Sequence, residues 1–220
     1  MEASKEITVA SSIEGNGFRM LDETELEPAS QLFARAFFED PISRYLFPDR
    51  ETRIHQLTAV FQSYLRYGIR FGEVHSPGGE LQAGAMWLGP DECHMTAEHS
   101  SQVGFDDLPD QLGDEAMERF EQYFGWMEEV HQREAPARHL YLAVLAVDTA
   151  SQGQGIGTSL IRNMTTRADK EGLPCYVETQ QPRNVPLYLR HDFEVLVDTV
   201  EPVSRVRTWA FLREPRFTDA

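Results

Sequence analysis

Residues 140–157 read LYLAVLAVDTASQGQGIG. Leu140 to Val147 is apolar at nearly every position, the pattern of a strand buried on both faces of a sheet. Gly153, Gly155 and Gly157 follow, and Ile156, Leu160, Ile161, Met164 and Ala168 then recur at helical spacing up to a stop at Gly172 and Pro174. Cys175 to Thr179 is short and apolar again, so strand, helix and strand in this order predict a parallel pair joined by a right-handed crossover. A strand-to-helix turn with three glycines leaves several amide groups unpaired and free of side-chain cover. Those amides and the positive end of the helix dipole form a site for an anion such as a pyrophosphate. A tight turn also requires glycine on steric grounds alone, and at this point both readings stand. No Gly-Lys-Ser/Thr follows, which argues against a P-loop, and the turn comes too late in the chain for a dinucleotide-binding fold.

Outward from this segment, Phe18 to Leu21 reads as a first strand, and Pro28 opens a helical segment with Leu32, Phe33, Ala36 and Phe37 on one face. That helix should stop near Asp40-Pro41, because proline disfavours helix in the residue before it. A second helix is expected from Arg50 to Arg70, then a hairpin built from Gly72 to His75 and Gln82 to Leu88. Residues 91–135 hold thirteen Asp or Glu against Arg119 and Arg133, which is −11 of the total −16. Within this insertion Leu112, Ala116, Phe120, Tyr123, Met127 and Val130 make one amphipathic helix, its stripe either a packing face or the roof of a pocket. Its acidic face is either simply solvated or steers a cationic substrate. After the second inner strand, Asn184 caps a short helix with Pro186 in its first turn. Phe193 to Val200 and Val206 to Leu212 close the sheet as an antiparallel pair.

The 220 residues, 41% hydrophobic, are enough for one domain over 18–216, with the acidic insertion at 91–135 and a flexible tail over 1–17. A net charge of −16 argues against nucleic acid and anionic membrane surfaces as partners and suits cationic amines. Residues 1–17 lack the features of a secretory signal, and no apolar run approaches the roughly 20 residues of a membrane span, so the expected location is cytoplasmic. Cys93 and Cys175 form neither a disulfide framework nor a CxxC or His-rich motif, and no metal is expected.

Gln152-Gly153-Gln154-Gly155-Ile156-Gly157 resembles the Gln/Arg-x-x-Gly-x-Gly/Ala signature of the GCN5-related N-acetyltransferases (GNAT). YVETQQPRNVPLYLRHDF, residues 176–193, is similar to the second motif of that family. More narrowly, AFFEDPISRYLFPDR, HLYLAVLAV, VETQQPRNVPLYLR and RTWAFLREP fall in the order seen in puromycin N-acetyltransferase-like proteins. The resemblance implies an α/β (α+β) GNAT fold: a mixed, mostly antiparallel sheet of six to seven strands whose central parallel pair splays at the cofactor site, flanked by helices. It implies acetyl-CoA as cosubstrate, with Leu145, Ala146 and Val147 along pantetheine and Gln152, Gly153, Gln154, Gly155, Ile156, Gly157 and Thr158 around the pyrophosphate. A main-chain N–H near Leu145 or Ala146 would hold the thioester oxygen.

By the same resemblance Tyr188, one helical turn after Asn184, contacts the cofactor and protonates the departing sulfur, the alternative being a purely packing role. Asn184 is either a cofactor ligand or only the helix cap. Glu178, a carboxylate on an otherwise apolar inner strand, is either the general base or a structural ion-pair partner, and the amine has water as another proton acceptor. Two departures stand out: Thr149 where the family usually has Pro, and Asp192 where it has Gly, a position Asp tolerates if φ is positive. The activity implied is direct acetyl transfer to the primary amine of a small molecule, an antibiotic or a metabolite, by a monomer or homodimer. Acetylation of a protein or peptide, and a non-catalytic CoA-binding module, are the alternatives.

Overall fold

A computed structural model describes residues 17–216, so the expected tail over 1–17 lies outside the described residues apart from Gly17. Seven strands form one sheet in the order β1-β2-β3-β4-β5-β7-β6. These are β1 (Phe18–Met20), β2 (Glu73–Pro77), β3 (Ala83–Leu88), β4 (Leu140–Val147), β5 (Cys175–Thr179), β6 (Glu194–Val200) and β7 (Arg207–Arg213). Every neighbouring pair is antiparallel except β4 and β5, and helix α7 (Ile156–Glu171) makes the crossover between those two.

One face of the sheet packs on α1 (Leu26–Phe37), α3 (Arg53–Phe71) and α6 (Asp114–Glu134), around Phe33, Leu65 and Tyr123. The other face packs on α7 and α8 (Val185–Leu189), around Trp87, Ile161 and Phe211. α7 stops where the glycine signal placed its end: Gly172 is left-handed, with φ 66°, and its N–H closes on Ala168 and Asp169. Asp192 has φ 65°, so the residue that replaces the expected glycine does adopt the backbone that only a few side chains tolerate.

Three local expectations need correction. α1 begins at Leu26, two residues before Pro28, because proline is tolerated throughout the first turn. Asp40-Pro41 does end α1, but it also starts α2 (Pro41–Leu46): the Asp40 carboxylate accepts from the Ile42 amide at 3.1 Å, and Pro41 occupies the first helical position. The insertion contains α4 (Ala97–Ser101) and α5 (Leu108–Leu112) before the long α6. The positions of its stripe, from Leu112 to Val130, are buried.

β4 is not buried uniformly; its residues alternate between buried and half-buried. The register against β3 shifts between Met86, opposite Val144, and Trp87, opposite Leu142. Ala143 is therefore the extra residue of a β-bulge, and it reverses which side chains face which layer. Leu140 and Leu142 join the α7 side of the core, whereas Val144 and Ala146, two and four residues on, join the α1–α3 side.

Candidate active site

The parallel pair is short. β4 meets β5 only at Leu140–Cys175, Tyr141–Tyr176 and Leu142–Val177. Beyond the bulge β4 still pairs with β3 on its other edge, through Val144 to Val147, but its edge toward β5 has no strand partner. Two cavities, of about 390 and 320 Å³, meet at this opening, and Phe37, Asp40, Leu145 and Asn184 border both.

The larger cavity lies over the glycine turn. Leu145, Ala146, Val147, Gln152, Gly153, Gly155, Ile156, Gly157, Thr158 and Asn184 line it. Gln154 does not, and its side-chain amide points back to the Ala150 carbonyl at 3.4 Å. Gly153 and Gly155 have φ of 78° and 83°, so the turn itself requires glycine at both. Gly157 differs: a Cβ there would meet nothing closer than Val147 Cγ2 at 3.6 Å, so the protein's own packing does not demand glycine. Among the described residues the amide nitrogens of 152–158 make no hydrogen bond to a protein acceptor, and the ladder resumes only at Ser159, which donates to Gly155 at 3.0 Å. The turn is thus held open by glycine and presents a row of bare donors at a helix start. Where the family usually has proline, Thr149–Ser151 form a 3-10 turn fixed by the Asp148 carboxylate, which accepts from the Ala150 amide at 3.0 Å and from Arg35 at 3.0 Å.

Arg183 and Arg190 also line this cavity, and neither has a carboxylate partner among the described residues. Sequence reading missed both, since each lies in a segment singled out for Asn184 and Tyr188 and carries no motif signal of its own.

The smaller cavity holds the candidate chemistry. Glu178 accepts from the Tyr141 hydroxyl at 2.9 Å and from the Tyr176 hydroxyl at 2.8 Å. Burial pushes its carboxyl up to about 7 even though these two bonds favour the charged form. It makes no ion pair among the described residues, so of the two roles read from the sequence the structural pairing is not realised. Tyr188 is 3% exposed and packs on Phe193 and Phe211. It borders this cavity and not the one over the turn. Its hydroxyl has no hydrogen-bond partner among the described residues, and burial pushes its pKa further above the usual tyrosine range, so it stays protonated at neutral pH. The two residues Asn184 and Tyr188 do share the region of the opening, but Asn184 makes no capping bond; its Nδ2 donates to Thr179 Oγ1 at 3.2 Å.

Asp40 is the second missed residue type. It is buried at the junction of the two cavities, and burial raises its carboxyl to about 6. Its signal was present as Asp-Pro, read only as the end of a helix. α6 forms the wall opposite the sheet through Phe120, Phe124, Met127, Glu128 and His131, so its stripe serves both as packing face and as roof.

Residues 109–193, which contain β4, the turn and β5, match the Acetyltransferase (GNAT) family. An uncharacterized N-acetyltransferase of Schizosaccharomyces pombe is 23% identical over 180 residues, covering 80% of this chain and 73% of the yeast protein. The crystal structure described as histone acetyltransferase HPA2 and related acetyltransferase, from Corynebacterium glutamicum, superposes with a TM-score of 0.65 at 19% identity, over 92% of this chain and 98% of that one. A polyamine N-acetyltransferase of Drosophila melanogaster superposes with a TM-score of 0.57 at 15% identity, over 90% and 98%. The sheet with its single parallel pair is the fold of these solved structures, and the match over residues 109–193 together with the yeast relative identifies the chain as an acyltransferase similar to the GNAT acetyltransferases.

Proposed function

We propose that the protein transfers the acetyl group of acetyl-CoA directly to the primary amine of a small molecule. The observation that carries this reading is the parting of β4 from β5 between two cavities, one floored by bare amides and the other holding Glu178 and Tyr188. The amides of residues 152–158, with Arg183 and Arg190, suit a pyrophosphate. Leu145, Ala146 and Val147 suit the pantetheine arm, which would add to the free edge of β4 as another strand does.

Aminolysis of a thioester needs an uncharged amine, a polarised carbonyl and a proton for the leaving thiolate. Glu178, poised near neutral pH, takes the proton of the bound ammonium group. The amine lone pair then attacks the carbonyl carbon, with a β4 amide near Leu145 or Ala146 holding the oxygen. As the carbon–sulfur bond breaks, Tyr188 gives its proton to the departing thiolate, the nitrogen sheds its remaining surplus proton to water, and Tyr188 and Glu178 return to their starting states by proton exchange with solvent.

The acceptor cavity is walled by Phe61, Tyr64, Phe105, Phe120 and Phe124 and carries the carboxylates of Glu128 and Glu178, which suits an amine on an apolar body. The α6 roof favours a small molecule over a peptide, and the fly neighbour, named for its action on polyamines, lends support to that class. Metabolite and antibiotic amines both fall within it. No helix among the described residues is long and apolar enough to cross a membrane. We assign residues 18–216 to one catalytic domain, supported by the single sheet that runs through it. Incubation with acetyl-CoA and a mixed library of amines should release free thiol together with products heavier by one acetyl unit. Binding of CoA without any acetylated product across the library would replace this reading with that of a CoA-binding module.

A further inference from the structure

Glu128 and His131 lie three residues apart on α6 and so share one face of the helix. His94, from the segment after β3, meets them there, its Nδ1 2.8 Å from Glu128 Oε1. Its ring centroid lies 4.7 Å from that of His131. One potential ligand atom of each of the three residues lies within 4.8 Å of the other two. Glu128 and His131 also line the acceptor cavity.

The hydrogen bonds fix which nitrogens are bare. His139 is fully buried, with Nδ1 2.7 Å from the Pro136 carbonyl oxygen. A carbonyl oxygen only accepts, so Nδ1 of His139 carries the hydrogen and its Nε2 carries the lone pair. That Nε2 lies 2.8 Å from His131 Nε2, which must donate to it. His131 Nδ1 is then a lone pair with no hydrogen-bond partner among the described residues, in a ring 2% exposed and stacked on Tyr176. By the same logic, His94 donates from Nδ1 to the Glu128 carboxylate, and in its neutral form it keeps a lone pair on Nε2.

Two imidazole nitrogens and one carboxylate, with the far nitrogen of a histidine held by a second hydrogen-bonded group, are the donor set of zinc. We propose that His94, Glu128 and His131 form a site for a divalent transition-metal ion, best matched by zinc, in the wall of the acceptor cavity, with His139 as the positioning residue that fixes the His131 tautomer. Zinc bonds of about 2.0–2.2 Å in a tetrahedron set ligand atoms roughly 3.4 Å apart, so the cluster closes on binding. The side chains of His94 and Glu128, 42% and 40% exposed, have the freedom to close, and His131 is already fixed. An ion there presents its remaining coordination position to whatever fills the cavity. The sequence offered no metal motif because the ligands come from two segments more than 30 residues apart, brought together only by the packing of α6. The site requires only this packing and is independent of the acyl-transfer reading.

The test is a zinc titration of the full chain, first stripped with a chelator, against a chromophoric competitor, with magnesium in parallel. One zinc per chain is expected, at least 100-fold tighter than magnesium, whose ligands are oxygens. His94→Ala and Glu128→Gln, at part-exposed positions that leave the core intact, should each weaken zinc by 10-fold or more. His139→Asn should weaken it by about 10–100-fold, the usual scale for a group that orients a metal ligand. The first two variants decide the matter even if the buried one does not fold. Absence of stoichiometric zinc, or wild-type zinc affinity in both His94→Ala and Glu128→Gln, overturns the proposal and reduces the cluster to an ion pair beside a buried histidine pair.

Discussion

Replacement of Glu178 by glutamine separates the electrostatic state of this carboxyl from its role in catalysis. Its carboxyl stands at about 7 in the folded protein against an ordinary 4.5, with burial as the main cause, and Glu128 nearby adds to the rise. The difference corresponds to about 3 kcal/mol. Because the folded-state value is raised, the protonated form is the one the fold prefers. Stability is therefore complete below about pH 4.5 and declines as the pH climbs toward 7, where the folded protein must ionise a buried group. Glutamine is never charged, and it satisfies both neighbours, since its carbonyl accepts from one of the Tyr141 and Tyr176 hydroxyls and its amide donates to the other. The cavity admits some water, which reduces the full effect, so the variant should be more stable than wild type by about 1–3 kcal/mol at pH 8 and equal to it near pH 4.5. For a chain of this size that is a gap in Tm of roughly 2–10 °C, read from thermal melts followed by circular dichroism across pH 4.5–8.5. Acetylation should meanwhile fall by about 100-fold or more if Glu178 is the base. Tm profiles that run parallel for the two proteins refute the buried, uncharged state. Unchanged turnover hands the proton to water or to Asp40.

Tyr188→Phe should slow acetylation by roughly 10–100-fold with CoA affinity unchanged in calorimetry; full turnover removes the hydroxyl from the reaction. Gly155→Glu places a charged side chain at φ 83° among the bare amides and should abolish CoA binding; micromolar affinity in this variant makes the turn structural. Arg183→Ala should weaken CoA by about 10-fold at low ionic strength and by less at high salt, as screening requires; a salt-independent loss points to altered packing instead. Trp87 is 1% exposed and its indole N–H is a buried donor without a partner among the described residues. Trp87→Phe should therefore cost less than about 1.5 kcal/mol in denaturant melts, because relief of the unpaired donor offsets the lost volume; a loss of about 3 kcal/mol or more contradicts this.

The order of elements from β4 to β7 was legible because local chemistry marks it: an unbroken apolar run, glycines at a turn, glycine and proline at a helix stop. The pairing of β4 with β5 followed from chain reversal alone. Legibility ended where neighbours in space decide. An apolar run carries no mark of the bulge at Ala143, since every position fits either face and only the register against β3 selects one. Asn184 looked like a cap because it sits at a helix start, yet its amide finds Thr179, five residues back. Glu178 was visible as a carboxylate among apolar residues, but its protonation is set by burial, against which two tyrosine hydroxyls act, one of them 37 positions away. Arg183, Arg190, Asp40 and the histidine cluster were silent for the same reason. The sequence by itself determined which stretches become strand, helix and glycine turn, because backbone preference and apolar spacing act within a few residues. Only the tertiary structure decided which charges are buried and what they face, because desolvation depends on atoms that come from distant parts of the chain.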